Sequence, residues 1–413
     1  MKRFRLLAPL VLLTACGGGG PQPLNVTLVD GIGEPLQPLA AAWRVGPPPS
    51  SGSLPWNALP VAQSSWSLPL LPSARFQIAF RCPDVGGTQF YVSLDLMRNE
   101  LGNNLLVRCP SAYANATANV SGAFTPALTT GMAFSARGQV SANSTSFSGL
   151  SVPLGPGREV AVLGQDSTGT LYFGRLASLN ITGPTTVGPL SLTPTSTLST
   201  TTPPGFFSYA GLVLASYVPL DLASWTGGTQ SVPRPSPVVA GDLFQFWTCH
   251  GFSCALQRKD ANDPAVAPSA SLSLSVPPLS LSGNESHTSS TLPTFSNLTS
   301  GGFSPGLGFL GYALFLGEPG IRYWRHFVSP GALGSSSSYH VDVETAPGMA
   351  GVVPSPGSAV QFRATAFAGD QPLSALLAAR PIPGETFPGH TLFLDRMWPV
   401  QLETALLQTT LTW

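Results

Sequence analysis

Apolar and polar residues alternate with a period of two through most of the chain, in short runs separated by Gly, Pro, Asn, Asp and Ser. Alternation of this kind turns one face of an extended segment toward a core and the other toward solvent. Turn signals every ~8–12 residues argue for small β-sandwiches. In the stretch 113–193 the pattern predicts strands at Met132–Val140, Thr145–Val152, Glu159–Gly164, Thr170–Ala177 and Thr186–Leu192. Beyond the N-terminal segment no window sustains a helical period, Leu373–Ala379 coming nearest. The expected fold class is all-β.

One short pattern recurs: a small residue, two variable residues, then two apolar residues spaced by one. It occurs as Ser73-Ala74-Arg75-Phe76-Gln77-Ile78, Gly157-Arg158-Glu159-Val160-Ala161-Val162, Gly241-Asp242-Leu243-Phe244-Gln245-Phe246 and Gly357-Ser358-Ala359-Val360-Gln361-Phe362, at steps of 84, 84 and 116 residues. Pro72, Pro156 and Pro356 precede three of the copies. Three copies are followed by a small-residue turn and a second run, beginning at Gly87, Gly169 and Gly369. A step of 84 suits one compact sandwich, so about four tandem immunoglobulin-like or transthyretin-like units are expected, at 24–112, 113–193, 205–282 and 303–413. A propeller is the weaker alternative, since its blades of about 40–50 residues would have to be taken two per step. The polar, proline-rich stretch 194–204 and the low-complexity stretch 283–302 read as linkers. The apolar runs Gly205–Val218 and Gly306–Gly317 are too short to span a bilayer and read as buried strands.

The N-terminus is different in kind. Lys2, Arg3 and Arg5 precede a short apolar run, Leu6–Leu13, which ends in Leu13-Thr14-Ala15-Cys16 and a run of four glycines. This arrangement resembles the lipobox of bacterial lipoprotein signal peptides. The resemblance implies diacylglyceryl transfer to the Cys16 thiol, cleavage between Ala15 and Cys16, and acylation of the new amino group. Residues 1–15 would then be a signal peptide and 16–23 the lipidated cysteine with a flexible tether. Anchoring by two or more acyl chains is stable, whereas one chain binds only reversibly. The expected location is the cell membrane or outer membrane, facing periplasm or cell surface.

Composition supports an exported chain without identifying a ligand. The 413 residues carry 19 basic and 19 acidic side chains, only 9% charged, with 44 Gly and 42 Pro. No basic excess is present, so nucleic acid is not an expected partner. Cys82, Cys109, Cys249 and Cys254 remain once Cys16 is assigned to lipid. Of three connectivities the most local, Cys82–Cys109 and Cys249–Cys254, is expected, the first contributing about 3 kcal/mol in the chain-entropy model. Zinc is the rival reading, disfavoured because the spacing contains no Cys-x2-Cys pair.

Candidate chemistry is sparse. His340, Asp342 and Glu344 alternate with Val341 and Val343, so an extended strand would project all three from one face as weak candidate metal ligands. The competing reading is a solvated edge-strand face. Ser304 sits in a G-x-S-x-G match, but Pro305 follows it and has no N–H for an oxyanion hole. Gly306–Gly311 matches G-x-G-x-x-G without the following helix a dinucleotide site needs. Asp260-Ala261-Asn262-Asp263 resembles half a calcium loop and reads as a turn. Trp43, Trp56, Trp66, Tyr323 and Trp324 could stack on sugars or belong to cores. Leu411-Thr412-Trp413 echoes the end of a membrane barrel, but regularly spaced lipid-facing strands are missing. No cofactor is expected. The expected role is a non-enzymatic, structural, adhesive or ligand-binding one, with an envelope polysaccharide or protein as partner. The alternative is a metal-dependent sugar-binding protein or hydrolase centred on 303–413.

Overall fold

The computed structural model describes residues 22–46, 54–109, 114–251, 253–263, 271–273, 281–288, 290–300, 302–380 and 400–413. Cys16 and the segment 1–15 lie outside them. The fold is all-β with multiple sheets. No helix among the described residues is long and apolar enough to cross a membrane.

The eight apolar residues of the recurring pattern explain the scaffold. Phe76, Ile78, Val160, Val162, Phe244, Phe246, Val360 and Phe362 are each at most 1% exposed. They lie in the strands Arg75–Val85, Gly155–Gln165, Leu243–His250 and Ala359–Gly369. In the first two, the second run pairs antiparallel with the motif strand, as Thr88–Met97 and Leu171–Ile181.

Three of these four strands share one sheet. It runs in the order Pro219–Arg234, Ser196–Val213, Leu243–His250, Ser253–Asp260, Val400–Thr412, Ala359–Gly369, Gly308–Glu318, Arg322–Val328, Thr88–Met97, Arg75–Val85, Ala40–Val45 and Asn57–Ala58, with Ser271–Ser273 added beside Ser196–Val213. The ladder therefore does not break between the stretches 24–112, 205–282 and 303–413. Alternation identifies strands and their faces, but neighbours are chosen by contacts far apart in sequence. Two pairings make the joins. Val400–Thr412 sits antiparallel between Ser253–Asp260 and Ala359–Gly369, and Arg322–Val328 lies parallel to Thr88–Met97.

Each face of this sheet is covered by a smaller sheet. On one side Ser65–Leu70, Gln22–Val29 and Asn104–Arg108 bring Leu24, Val26, Trp66, Leu68 and Val107 against Phe76, Ile78, Leu94 and Phe327. On the other, Leu281–Thr288, Thr291–Ser300 and Ser338–His340 bring Leu292, Phe295 and Tyr339 against Leu314, Trp324 and Phe362. The stretch from Thr117 to Pro194 has its own seven-stranded sheet and its own core of Val120, Phe124, Phe147, Val160 and Ile181. Its Gly138–Pro153 strand pairs with Thr117–Leu128 and with Thr130–Ser135, with register breaks at Ser144/Ser146 and Phe147/Leu150. Bulges of this kind bend a strand and strengthen its twist, which lets one strand serve both pairings.

Several expectations are corrected. Stretch 194–204 is not a linker: Ser196–Val213 is one strand with Leu198, Thr200 and Thr202 buried. Its prolines are tolerated because Pro203 and Pro204 fall in the ladder's register break between Thr202 and Phe207, where no backbone N–H is required. Stretch 283–302 is largely the hairpin Leu281–Thr288 and Thr291–Ser300, whose Leu292, Phe295 and Leu298 reach the core. The run after Gly369 is a helix, Leu373–Ala378, with Leu373, Leu376 and Leu377 buried at helical spacing. Met132–Val140 is a hairpin turning between Ser135 and Gly138. The apolar runs are buried strands in part: Leu212, Val213, Leu310, Leu314 and Leu316 are at most 4% exposed, but the first run leaves its strand at Leu214 for a turn, and Phe207 and Phe309 face solvent.

Leu402 has no exposed surface and lies on Val400–Thr412 at the join of the main sheet. Leu402→Ala should cost about 2–5 kcal/mol. Leu39→Ala, at a side chain 51% exposed, should cost less than about 0.5 kcal/mol. Urea denaturation followed by tryptophan fluorescence compares the two, and equal midpoints would show that Val400–Thr412 does not hold the sheet together.

Candidate functional site

His340, Asp342 and Glu344 do not share a strand face. The strand Ser338–His340 ends at the first of them, and Val343–Thr345 is a single 3-10 turn. His340 Nδ1 is 2.7 Å from Thr294 Oγ1. Asp342 is ion-paired with Arg44. Burial pushes the Glu344 carboxyl up to about 7, with the Asp342 charge adding to it and backbone hydrogen bonds and Arg44 acting against it. Among the described residues, no three His, Cys, Asp or Glu side chains are placed to hold a metal ion.

The other motifs resolve into structure. Ser304 lies in a loop, its backbone N–H donating to Glu403 Oε2 at 2.8 Å. Gly308–Glu318 is a strand. Asp260 Oδ1 accepts from the Asn262 N–H at 2.8 Å, closing a turn. Trp66 and Trp324 are core residues, 5% and 0% exposed. Trp43 packs against the core, Arg44 lies over the Trp56 ring, and Tyr323 stacks between Phe90 and Phe315. Trp413 is buried and stacks on His287. The disulfides are Cys82–Cys109 and Cys249–Cys254.

Two polar assemblies carry no motif. The first is buried between the strands Thr88–Met97 and Arg322–Val328. Asp95, with no exposed surface, accepts from Arg75 Nε and Nη2 at 2.8 and 2.6 Å, from Gln77 Nε2 at 2.7 Å and from the Tyr339 hydroxyl at 2.8 Å. Because that hydroxyl donates to Asp95, its oxygen accepts from His326 Nε2–H, 2.7 Å away. His326 Nδ1 is then the acceptor for Ser93 Oγ–H at 2.8 Å, and Ser93 Oγ accepts from Trp324 Nε1–H at 2.9 Å. Every proton in this chain is placed by a neutral imidazole. Burial lowers the His326 pKa to about 4, with Asp95 acting against it and Arg75 with it. Serine, histidine and aspartate thus stand in line, but Ser93 is 2% exposed and its proton is committed to the ring, leaving no place for a substrate. The assembly is a structural lock.

The second assembly opens to solvent. A cavity of about 430 Å³ lies where Thr27–Pro35, Ala136, Val152–Glu159, Ala215–Tyr217 and Arg380 meet. Asp30 shapes its first wall, accepting from the Ile32 and Glu34 N–H groups at 2.8 and 2.9 Å and presenting Glu34. Arg158 Nη1 donates to Glu34 Oε1 at 2.6 Å and Arg158 Nε to the Leu154 carbonyl at 3.0 Å. Behind them Glu159 and Asp242 both pair with Arg175, and Glu159 also accepts from the Ser216 hydroxyl. Asp242 Oδ1 accepts from the Ala215 N–H at 2.8 Å. These contacts hold the turn Leu214–Val218, in which Tyr217 has φ +68°. A bulky residue in the left-handed region is strained, and such strain gathers at functional sites. Arg380 lies over the Tyr217 ring, Cζ 5.7 Å from its centroid. Arg158, Glu159 and Asp242 occupy the variable positions of the recurring pattern, so the sequence marked their strands and gave no sign of their partners.

The displaced pKa values of His326 and Glu344 oppose each other. His326 refuses a proton that the unfolded chain takes up below about 6.5, so stability falls as pH drops from about 6.5 to about 4. Glu344 in the folded chain holds a proton that the unfolded chain has released, so stability falls as pH rises from about 4.5 to about 7. Relative to the parent, His326→Asn should therefore lose stability as pH rises from 4.5 to 6.5, and Glu344→Gln should gain it. Each difference is limited to about 1.4 kcal/mol per pH unit. Urea denaturation at three pH values tests this; differences of the same sign in both variants would refute it.

No protein-family model matches the chain, and no curated protein matches it. Among solved structures it is similar to the pilus adhesin SpaC from Lactobacillus rhamnosus GG in two forms. In the first, identity is 8% over 75% of this chain and 44% of that one, at a TM-score of 0.12. In the second, an open conformation, identity is 9% over 74% and 43%, at the same TM-score. The chain thus spans less than half the length of these structures, and a TM-score of this size does not amount to a shared architecture.

Proposed function

We propose that the chain is a membrane-anchored lipoprotein of the cell envelope with a non-enzymatic, ligand-binding or adhesive role. The observation that carries the reading is the run from Lys2 to Gly20, with its lipobox-like Leu13-Thr14-Ala15-Cys16 and a glycine tether. The first strand begins at Gln22, so the folded part would start immediately beyond the anchor. Two disulfides fit an oxidising compartment. The open polar cavity gives the folded part a place to hold a ligand. An envelope polysaccharide or protein is the proposed partner.

In a bacterial host, the full chain should enter the membrane fraction and incorporate labelled palmitate, and Cys16→Ser should abolish both. The purified full chain in mild detergent should also co-sediment saturably with peptidoglycan, surface polysaccharide or outer-layer protein. Persistence of label in the Cys16→Ser variant would overturn the anchor, and failure to bind any fraction would overturn the binding role.

A further inference from the structure

We propose that the cavity bounded by Glu34, Arg158, Tyr217 and Arg380 is a saccharide site selective for a carboxylate-bearing sugar, with Arg380 as the carboxylate's partner. This deepens the binding role given above and rests on it for the source of the ligand.

Size and charge make the first part of the argument. At about 430 Å³ the cavity falls within the roughly 300–1,000 Å³ of small-molecule sites. Its charged groups are not equally free. Arg158 is committed to Glu34 and the Leu154 carbonyl, and Glu159 to Arg175 and Ser216. Arg380 is exposed, and among the described residues no carboxylate pairs with it. A guanidinium carries five N–H donors in a planar fork, and Arg380 spends part of that capacity on Tyr217. The rest faces the cavity as a bidentate carboxylate partner.

Shape and strain make the second part. Flat aliphatic rings of Pro35, Pro153 and Pro156 line the cavity beside Tyr217, and the polar groups stand around them. A pyranose has the matching form, an apolar C–H face and a rim of hydroxyls. Glu34 pairs with Arg158 through one carboxylate oxygen and is a third exposed, leaving the other to accept from a sugar hydroxyl. Tyr217 occupies a left-handed backbone position that glycine would fill without strain. Holding a tyrosine there takes Asp242 on the Ala215 N–H and Glu159 on the Ser216 hydroxyl. That arrangement places an aromatic side chain in the cavity wall with Arg380 above it.

The test is calorimetric titration of the full chain in mild detergent with three probes of equal length: an oligomer of a hexuronic acid, a neutral hexose oligomer, and oligoglutamate. The hexuronate should bind at least tenfold more tightly than either of the others. Arg380→Ala should lower its affinity at least tenfold with at most a small drop in melting temperature, since the side chain is exposed and gives up only its contact with Tyr217. Tyr217→Gly relieves the backbone strain and should also lose binding. Equal affinity for the neutral oligomer, or an unchanged affinity in Arg380→Ala, would overturn the carboxylate assignment. Oligoglutamate binding as tightly as hexuronate would overturn the saccharide assignment in favour of an acidic peptide. Hexuronate binding without co-sedimentation of any envelope fraction would leave the site standing and remove the envelope as its ligand's source. Co-sedimentation unaffected by Arg380→Ala would overturn this cavity as the place where the envelope fraction binds.

Discussion

A carboxylate cut off from water has to be met by donors on every side, and Asp95 imposes that requirement on the middle of the molecule. Arg75 and Gln77 reach it from the neighbouring strand, and Tyr339 reaches it from the sheet that covers this face. Gln77 also accepts from Arg44, and Arg44 pairs with Asp342, so the network continues to the segment after Ser338–His340. Leaving a buried charge without its partner typically costs about 3–5 kcal/mol. The parallel pairing of Arg322–Val328 with Thr88–Met97 is thus fixed in register by side chains as well as by backbone. His326 and Ser93 belong to the same arrangement, one residue from each strand of the pair.

The same device recurs at the cavity in a more open form. Arg175 joins Glu159 to Asp242, and Arg158 joins Glu34. These pairs tie the seven-stranded sheet to the edge of the main sheet and to the turn after Gln22–Val29. Phe134, Ala161 and Phe173 of the seven-stranded sheet also pack against Leu198, Leu212, Phe244 and Phe246 of the main sheet, so the ion pairs border an apolar contact and the cavity lies on the polar side of the join. Its polar lining follows from that position, as does its access to solvent.

What could be read from the sequence was local. The recurring pattern located four core strands because an apolar residue at every second position has one energetic explanation, a half-buried strand. The pairing of cysteines close in sequence was legible for a similar reason. The Asp95 network was not, because Ser93 and Asp95 alternate with Val92, Leu94 and Leu96 and look like the solvent face of an ordinary strand. They are buried because Tyr339 and the residues after it cover them, more than two hundred positions along the chain. His340, Asp342 and Glu344 failed in the opposite sense: their alternation was real, but the backbone leaves the extended form at His340. Ser196–Val213 shows a third case, in which prolines and threonines suggested a linker while the inward positions Leu198, Thr200 and Thr202 already carried a strand's period. The cavity joins stretches far apart in the chain, and only Arg158 and Glu159, at variable positions of the recurring pattern beside a core strand, gave any local signal.

Sheet order departs from chain order at Val400–Thr412, which fills the gap between Ala359–Gly369, the strand before it, and the much earlier Ser253–Asp260. Ser253–Asp260 is synthesised well before it, and among the described residues neither neighbour has another strand on the edge it fills. A chain folding as it emerges from the ribosome would hold two unpaired edges side by side, each able to recruit a foreign strand. A chain kept unfolded until all of it is available meets no such interval. The topology therefore leaves the main sheet divided until Val400–Thr412 is available, and the interval before that is when these two edges are open to misassembly.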